Sequence, residues 1–228
     1  MRFIARRRGG NPQSQIPFPM KIINLKKNAN MYTSNVYLVL GTWNTIEDVN
    51  TLVDVGRDPA IMDKIYEAST GVGKSRVEQV ILTHSHYDHA SFLPAIREAF
   101  HPKVYAFSHS LEGVDHHLRG WETLRLGDRD FEVIHTPGHS SDSICLYCEE
   151  EGVLFAGDTP VIIQSADSTH EEGFVRALER ICRMDVKAIY FGHGDPLLDG
   201  CNERIRTSLK NVRKALGVRN QQSAISDQ

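Results

Sequence analysis

Hydrophobic positions along the chain fall into two rhythms. Short apolar runs rich in β-branched or aromatic residues (KIINL, NVYLVLG and TLVDVG) come early and read as a strand meander. Asp58 followed by Pro59 makes an N-cap and first-turn pair, predicting a helix with Ile61, Ile65 and Ala68 on one face. VEQVIL then reads as a buried strand, and Phe92, Ile96, Ala99 and Phe100 stripe the helix after it. The second half repeats this grammar. KVYAFS, FEVIH, SICLYC and GVLFAG predict strands, and Phe174, Ala177, Leu178 and Ile181 mark a helix. AIYFG is a last strand, and Ile205, Leu209, Val212 and Leu216 define a final amphipathic helix. Strand runs closed by helices, twice over, predict an α/β (α+β) chain in which sheet packs on sheet with helices outside.

At both ends the rhythm stops. Residues 1–19 are rich in Arg, Gly, Pro, Gln and Asn and read as a flexible tail, and GVRNQQSAISDQ at the other end reads as frayed. The expected organisation is one domain over 20–216 between tails at 1–19 and 217–228. A chain of 228 residues with 40% hydrophobic content supplies one good core, not two.

Composition then removes several classes of function. A net charge of −3 leaves no overall footprint for nucleic acid or an anionic membrane, and Arg6, Arg7 and Arg8 read as part of a solvated tail. No apolar run approaches the roughly 20 residues needed to cross a bilayer. The arginine-containing start lacks the continuous apolar stretch of a secretory signal. Cys145, Cys148, Cys182 and Cys201 form no disulfide framework, so a reduced, cytoplasmic setting is expected. Cys145 and Cys148 stand three apart on a predicted strand, which sends their thiols to opposite faces, away from any shared ion.

The histidines carry the chemistry. Thr83-His84-Ser85-His86-Tyr87-Asp88-His89 lies directly after the strand VEQVIL and directly before a helix. If the chain is still extended at His84, the two-residue spacing turns His84 and His86 to one side, where both imidazoles can meet one ion. Asp88 and His89 follow where the chain turns and can face a second point a few ångströms away. Imidazole with carboxylate suits zinc, iron or manganese, with no need of a thiolate. Surface polar residues in an ordinary loop are the alternative, and so dense a run of histidines is rare outside metal sites.

His139 in Thr136-Pro137-Gly138-His139-Ser140, Asp158 in Gly157-Asp158-Thr159 and His193 in Gly192-His193-Gly194-Asp195-Pro196 each stand at the end of a predicted strand. Glycine beside each lets the backbone turn sharply and a side chain approach a shared centre. Each alone is weak. Strand ends on one rim of a sheet meet in space, so the four sites reinforce one another.

The ordered set HSHYDH, TPGHS, GDT and FGHGDP resembles the metallo-β-lactamase superfamily, and is most similar to its branch of glyoxalase II-type thioester hydrolases and lactonases. The resemblance runs from about Met20 to the final helix. It implies a four-layer αββα sandwich with the site on one edge. It also implies one metal on His84, His86 and His139, a second on Asp88, His89 and His193, and Asp158 between them. Asp54 in Leu52-Val53-Asp54-Val55-Gly56 matches a further family position near the ligands, and reads either as orienting a ligand imidazole or as capping a turn. The β-lactamase branch with a cysteine ligand has it where Asp158 stands here, which argues against antibiotic hydrolysis. Flavodiiron proteins carry glutamate where His86 stands, together with a flavin domain. The nuclease branch carries a large insertion, whereas only a short helical stretch separates Asp158 from His193 here. Glyoxalase II adds a sizeable C-terminal helical domain that helps to hold glutathione, whereas 35 residues follow His193 here, so glutathione recognition is not expected.

His101, His109, His116, His117, His135 and His170 lie outside these motifs and read as surface or packing residues, with lining a pocket as the alternative for any of them. Arg204, Arg206, Lys210, Arg213 and Lys214 read as the solvated face of the last helix, with attraction of an anionic substrate as the alternative. The expected activity is a metal-dependent hydrolase acting on a small-molecule ester, thioester or lactone. Its cofactors would be two divalent ions, zinc first, with iron or manganese as alternatives. A metal-bridged hydroxide is the nucleophile, with Asp158 as bridge and Asp88 as a ligand that also orients it. Iron-dependent persulfide dioxygenases resemble the same motif set, and some members of the superfamily process nucleic acid; both stand as alternatives, the second disfavoured by the net charge.

Overall fold

A computed structural model describes residues 20–26, 31–166 and 170–226, with the side chains of 217–226 excepted. The expected N-terminal tail lies outside the described residues. In chain order the elements are β1 (Lys21–Asn24), β2 (Tyr37–Leu40), β3 (Thr51–Val53), α1 (Ile61–Glu67), β4 (Gln79–Leu82), α2 (Tyr87–Ala90), α3 (Leu93–Phe100), β5 (Lys103–Ala106) and β6 (His116–His117). There follow β7 (Thr123–Leu126), β8 (Arg129–His135), β9 (Ile144–Cys148), β10 (Val153–Gly157), α4 (Glu172–Ile181), β11 (Ala188–Phe191) and α5 (Cys201–Ser226).

The strands form two sheets, β1-β2-β3-β4-β5-β6 and β11-β10-β9-β8-β7. Side chains on a strand alternate between faces, and the packing follows that period of two. Tyr37, Val39, Val53 and Ile81 of the first sheet meet Val133, Ile144, Leu146 and Phe155 of the second in a core between the sheets. The intervening Leu38, Leu40, Leu52, Val80 and Leu82 face outward onto Ile61 and Ile65 of α1 and Leu93 and Ile96 of α3. Ile134, Tyr147, Leu154 and Ala156 likewise face Phe174, Leu178 and Ile181 of α4 and Ile205 and Val212 of α5. The result is the αββα sandwich that the resemblance implies. Cys145 packs in the outer cluster and Cys148 between the sheets, on opposite faces as their spacing requires.

Four local features differ from the sequence reading. KVYA does not open the second sheet: β5 pairs in parallel with β4 and extends the first. Two strands without a legible pattern, the exposed pair β6 and the half-exposed β7, close the sheet edges. The first regular helix begins at Ile61, although the Asp58 carboxylate accepts a hydrogen bond from the Ala60 N–H, the bond of an N-cap at that position. α5 continues as helix backbone to Ser226, into the stretch expected to fray.

Strand direction places the site. β3, β4 and β5 run parallel, so the turns after β3 and β4 emerge on one edge of the first sheet. β10 and β11 are parallel too, and their carboxyl ends reach the same edge. Main-chain bonds lace the edge together: Ile144 N–H to Thr83 O at 2.9 Å, Asn35 N–H to Gly192 O at 2.6 Å, and Ser34 N–H to Asp88 O at 3.1 Å.

Candidate metal centre

Thr83 leaves the end of β4 and His86 caps α2 in extended conformation, so the His-rich motif wraps one tight corner. The residues that begin and end this corner hang on Asp54. Its φ of 59° is left-handed, a conformation costing about 1–3 kcal/mol for a residue with a side chain. Its carboxylate is buried and accepts from the Thr83 N–H at 2.8 Å, the Thr83 hydroxyl at 2.9 Å and the His89 Nδ1–H at 2.8 Å. That resolves the two readings of Asp54 in favour of an orienting carboxylate.

These bonds fix two imidazole tautomers. The single Thr83 hydroxyl proton goes to Asp54, so Thr83 Oγ1, 3.1 Å from His84 Nδ1, accepts from that nitrogen. His84 and His89 therefore both carry hydrogen on Nδ1 and turn Nε2 inward. Both Nε2 atoms are buried and have no hydrogen-bond partner. Leaving such a group unmade costs about 1–3 kcal/mol each, and a cation on the inward lone pairs removes the penalty.

The remaining side chains close around them. His139 Nε2 lies 3.0 Å from His86 Nδ1, and the His84 ring stands 4.6 Å from that of His86 and 4.9 Å from that of His139. On the other side His193 Nε2 is 3.0 Å from Asp88 Oδ2. Asp158 lies between, 3.4 Å from His89 Nε2, 3.6 Å from His139 Nε2 and 3.5 Å from His193 Nε2. Ligand-type atoms within 4.8 Å of one another form three groups: His84, His86 and His139; His84, His89 and Asp158; and Asp88, His89 and His193. The structure thus brings together all seven residues singled out by sequence. Two of these groups coincide with the sets that the family resemblance implies.

Charge fits a cation as well. The ion-pair partners of Asp54, Asp88 and Asp158 are histidines rather than lysine or arginine. Without metal this pushes a proton onto the cluster. Burial opposes charge on His89, but the Asp54 and Asp158 carboxylates overcome it and lift the imidazole to about 10. Burial and the neighbouring His89 hold His84 down at about 4. Burial raises the Asp158 carboxyl, but the His89 imidazole 3.4 Å away and the other imidazoles around it bring it to about 2.

Glycine makes the close approach possible. A Cβ on Gly192 would sit 2.2 Å from Asp158 Oδ1 and 2.6 Å from His89 Cε1, and one on Gly157 would sit 2.7 Å from Thr83 Oγ1. Gly157 also marks a register shift between β10 and β11, where the chain bulges and delivers Asp158 to the edge.

A cavity of about 500 Å³ opens beside His139 and Asp158, lined also by Gly138, Pro160, His170, Glu171 and Phe174. His170 therefore belongs to the rim of the site rather than to an ordinary surface. On the His193 side the rim is aromatic: Tyr32 stacks on His193, and Arg57 lies 5.1 Å over the Tyr87 ring. Tyr32 is a residue that sequence reasoning missed, because no motif surrounds it. The other histidines have separate partners: His135 stacks on Phe107, His109 stacks on His117, His116 approaches Glu122, and His101 is the left-handed C-cap of α3. Arg204, Arg206, Lys210 and Arg213 are exposed on α5, with Arg213 paired to Glu179. Among the described residues no helix is long and apolar enough to cross a membrane.

The family model of the metallo-β-lactamase superfamily matches residues 30–193. A hydroxyacylglutathione hydrolase of Francisella tularensis subsp. novicida is 33% identical over 104 residues, covering 45% of this chain and 41% of that one. An atrochrysone carboxyl ACP thioesterase of Aspergillus fumigatus is 24% identical over 167 residues, covering 72% and 52%. The chain thus spans less than two thirds of the length of these curated relatives. Among solved structures, a metallo-β-lactamase family protein of Thermus thermophilus superposes with a TM-score of 0.61 at 21% identity, covering 87% of this chain and 81% of that one. The matched residues take in the ligand-type residues from His84 to His193 itself, and with the buried inward nitrogens they imply divalent metal binding. This chain belongs to the metallo-β-lactamase superfamily.

Proposed function

We propose that the chain is a dinuclear metal-dependent hydrolase of small thioesters, esters or lactones. Its ligands would be His84, His86 and His139 for one ion and Asp88, His89 and His193 for the other, with Asp158 shared. The observation that carries this is the pair of unpartnered, buried Nε2 atoms of His84 and His89, one in each set, with Asp158 within 3.6 Å of His89, His139 and His193. Histidine and carboxylate donors without a thiolate favour zinc, with iron or manganese as alternatives.

Divalent ions held there would lower the pKa of bound water toward neutrality and polarise a carbonyl. The chain's own residues hold that chemistry in register. Asp54 fixes the His89 ring and the corner that carries His84; Asp88, buried in the first turn of α2, faces His193. The cavity beside His139 and Asp158 admits a substrate of small-molecule size, with Phe174 as an apolar wall and His170 and Glu171 as polar ones. Thioester cleavage is preferred because the Francisella relative is named for hydroxyacylglutathione and the Aspergillus relative for an acyl carrier protein thioester.

Protein loaded separately with zinc, manganese and iron would be assayed on one thioester, one lactone, one phosphodiester and one β-lactam. Asp158→Asn serves as the blank. Turnover of thioester or lactone that vanishes in the variant is the expected result. Activity on the phosphodiester alone, or turnover that survives the substitution, would overturn it.

A further inference from the structure

We infer that Tyr32 is a substrate-contacting residue whose phenol hydroxyl, left without a partner when the His193 imidazole holds an ion, donates to an oxygen of the bound substrate. The inference rests on the hydrolase reading above. The Tyr32 ring stacks on His193 with centroids 5.0 Å apart and an interplanar angle of 16°, and its hydroxyl lies 3.4 Å from His193 Nε2. That nitrogen is the one facing Asp88 and Asp158, so it is the ligating atom of the ring. A nitrogen lone pair given to an ion accepts no hydrogen bond. Once it is occupied, the Tyr32 hydroxyl keeps its place at the edge of the centre and loses its partner.

Several other hydroxyls near the site are committed elsewhere. Thr83 donates to Asp54, Tyr37 to the Phe191 carbonyl, and Ser140 to Asp142, while Thr159 is bonded to Thr136. The segment that presents Tyr32 is held on the site's own backbone. Ser34 N–H donates to Asp88 O, Asn35 N–H donates to Gly192 O, and the Thr33 hydroxyl accepts from Arg57 N–H. Tyr32 is nonetheless 61% exposed, so its outer face is open to an arriving molecule. A neutral donor placed there serves an oxygen that gains negative charge, on the attacked carbonyl or on the leaving group.

Tyr32→Phe keeps the stack and removes the hydroxyl. Removing one preorganised donor of this kind lowers kcat by about 10²–10³ in enclosed sites; at this exposed rim about 10- to 100-fold is expected. KM should change little. Two further readouts should separate contact from structure: metal content with the visible spectrum of the cobalt-loaded protein, expected unchanged, and the affinity of inorganic phosphate for the metal-loaded protein, expected to fall about tenfold. Wild-type kcat and phosphate affinity in Tyr32→Phe would overturn the inference, and so would loss of metal, which would make the residue a support of His193. If wild-type protein hydrolyses nothing in the panel, the hydrolase reading fails. The phosphate affinities then still decide whether the hydroxyl reaches a bound oxygen.

Discussion

Replacing Gly192 with alanine adds a single methyl group at the point where the two halves of the centre touch. Gly192 does not have a left-handed φ, so its backbone accepts alanine without strain. The new Cβ would lie 2.2 Å from Asp158 Oδ1 and 2.6 Å from His89 Cε1, with the Gly157 backbone at 3.2 Å behind. Relief requires the carboxylate or the imidazole to move by about 1 Å, whereas metal–ligand distances tolerate about 0.2 Å. Asp158 is the group within reach of both ligand sets, so its displacement disturbs both. Metal affinity should fall by about 100-fold or more, the upper end of what disturbed metal shells show. Overpacking should cost the metal-free fold only about 1–3 kcal/mol. Gly194→Ala is the matched control. Its φ of 78° makes alanine strained, by about 1–2 kcal/mol, but nothing lies within 4 Å of the new Cβ. Chelator competition read by elemental analysis, with thermal melts of the metal-free proteins, separates the two effects. Wild-type metal affinity in Gly192→Ala, or an equal loss in both variants, would refute the steric argument.

Asp54→Asn should lower metal affinity about 10- to 100-fold, because an amide N–H₂ would face the Thr83 and His89 donors that a carboxylate satisfies. Asp54→Ala should cost about 3–5 kcal/mol of stability by stranding those buried donors; denaturant titration of both variants tests this. Metal uptake at pH 7 should release a proton from His89, held at about 10, but none from His84, already neutral at about 4. Calorimetry in two buffers of different ionisation enthalpy counts that release, and an absence of any buffer dependence would contradict it. For the metal-free protein the raised His89 pKa gives stability that is full below about 6.5 and is lost as pH rises toward 10, so its Tm should fall over that window. Burial pushes the Cys145 thiol up to about 11 and also covers Cys148 and Cys201, so maleimide should label native protein at Cys182 alone; modification mapped to Cys145 by mass spectrometry would show that β9 opens.

What the sequence made legible and what it hid divide along a physical line. The ligand-type residues were readable because each sits where a strand ends on one rim, and strand ends can be located from a period of two and a flanking glycine. β6 and β7 were not readable: an exposed pair such as His116–His117 buries no face, so nothing forces an alternation onto its sequence. The partnership of Asp54 with His89 spans 35 residues and depends on β3 lying beside β4, a pairing that hydrophobic pattern alone does not specify. The structure supplies that adjacency, and with it the hydrogens that turn both buried Nε2 atoms inward. Tyr32 stands furthest from legibility. Its place beside His193 joins positions 161 residues apart through a loop with neither period nor motif. Motif residues are selected by a shared centre and therefore recur as a pattern. A rim residue answers to a particular substrate, and its identity becomes informative only once the ring it stacks on is known. Specificity in this chain should therefore follow the rim formed by Tyr32, Tyr87 and His170, so substitutions there should change which substrate is cleaved while leaving metal content as it was.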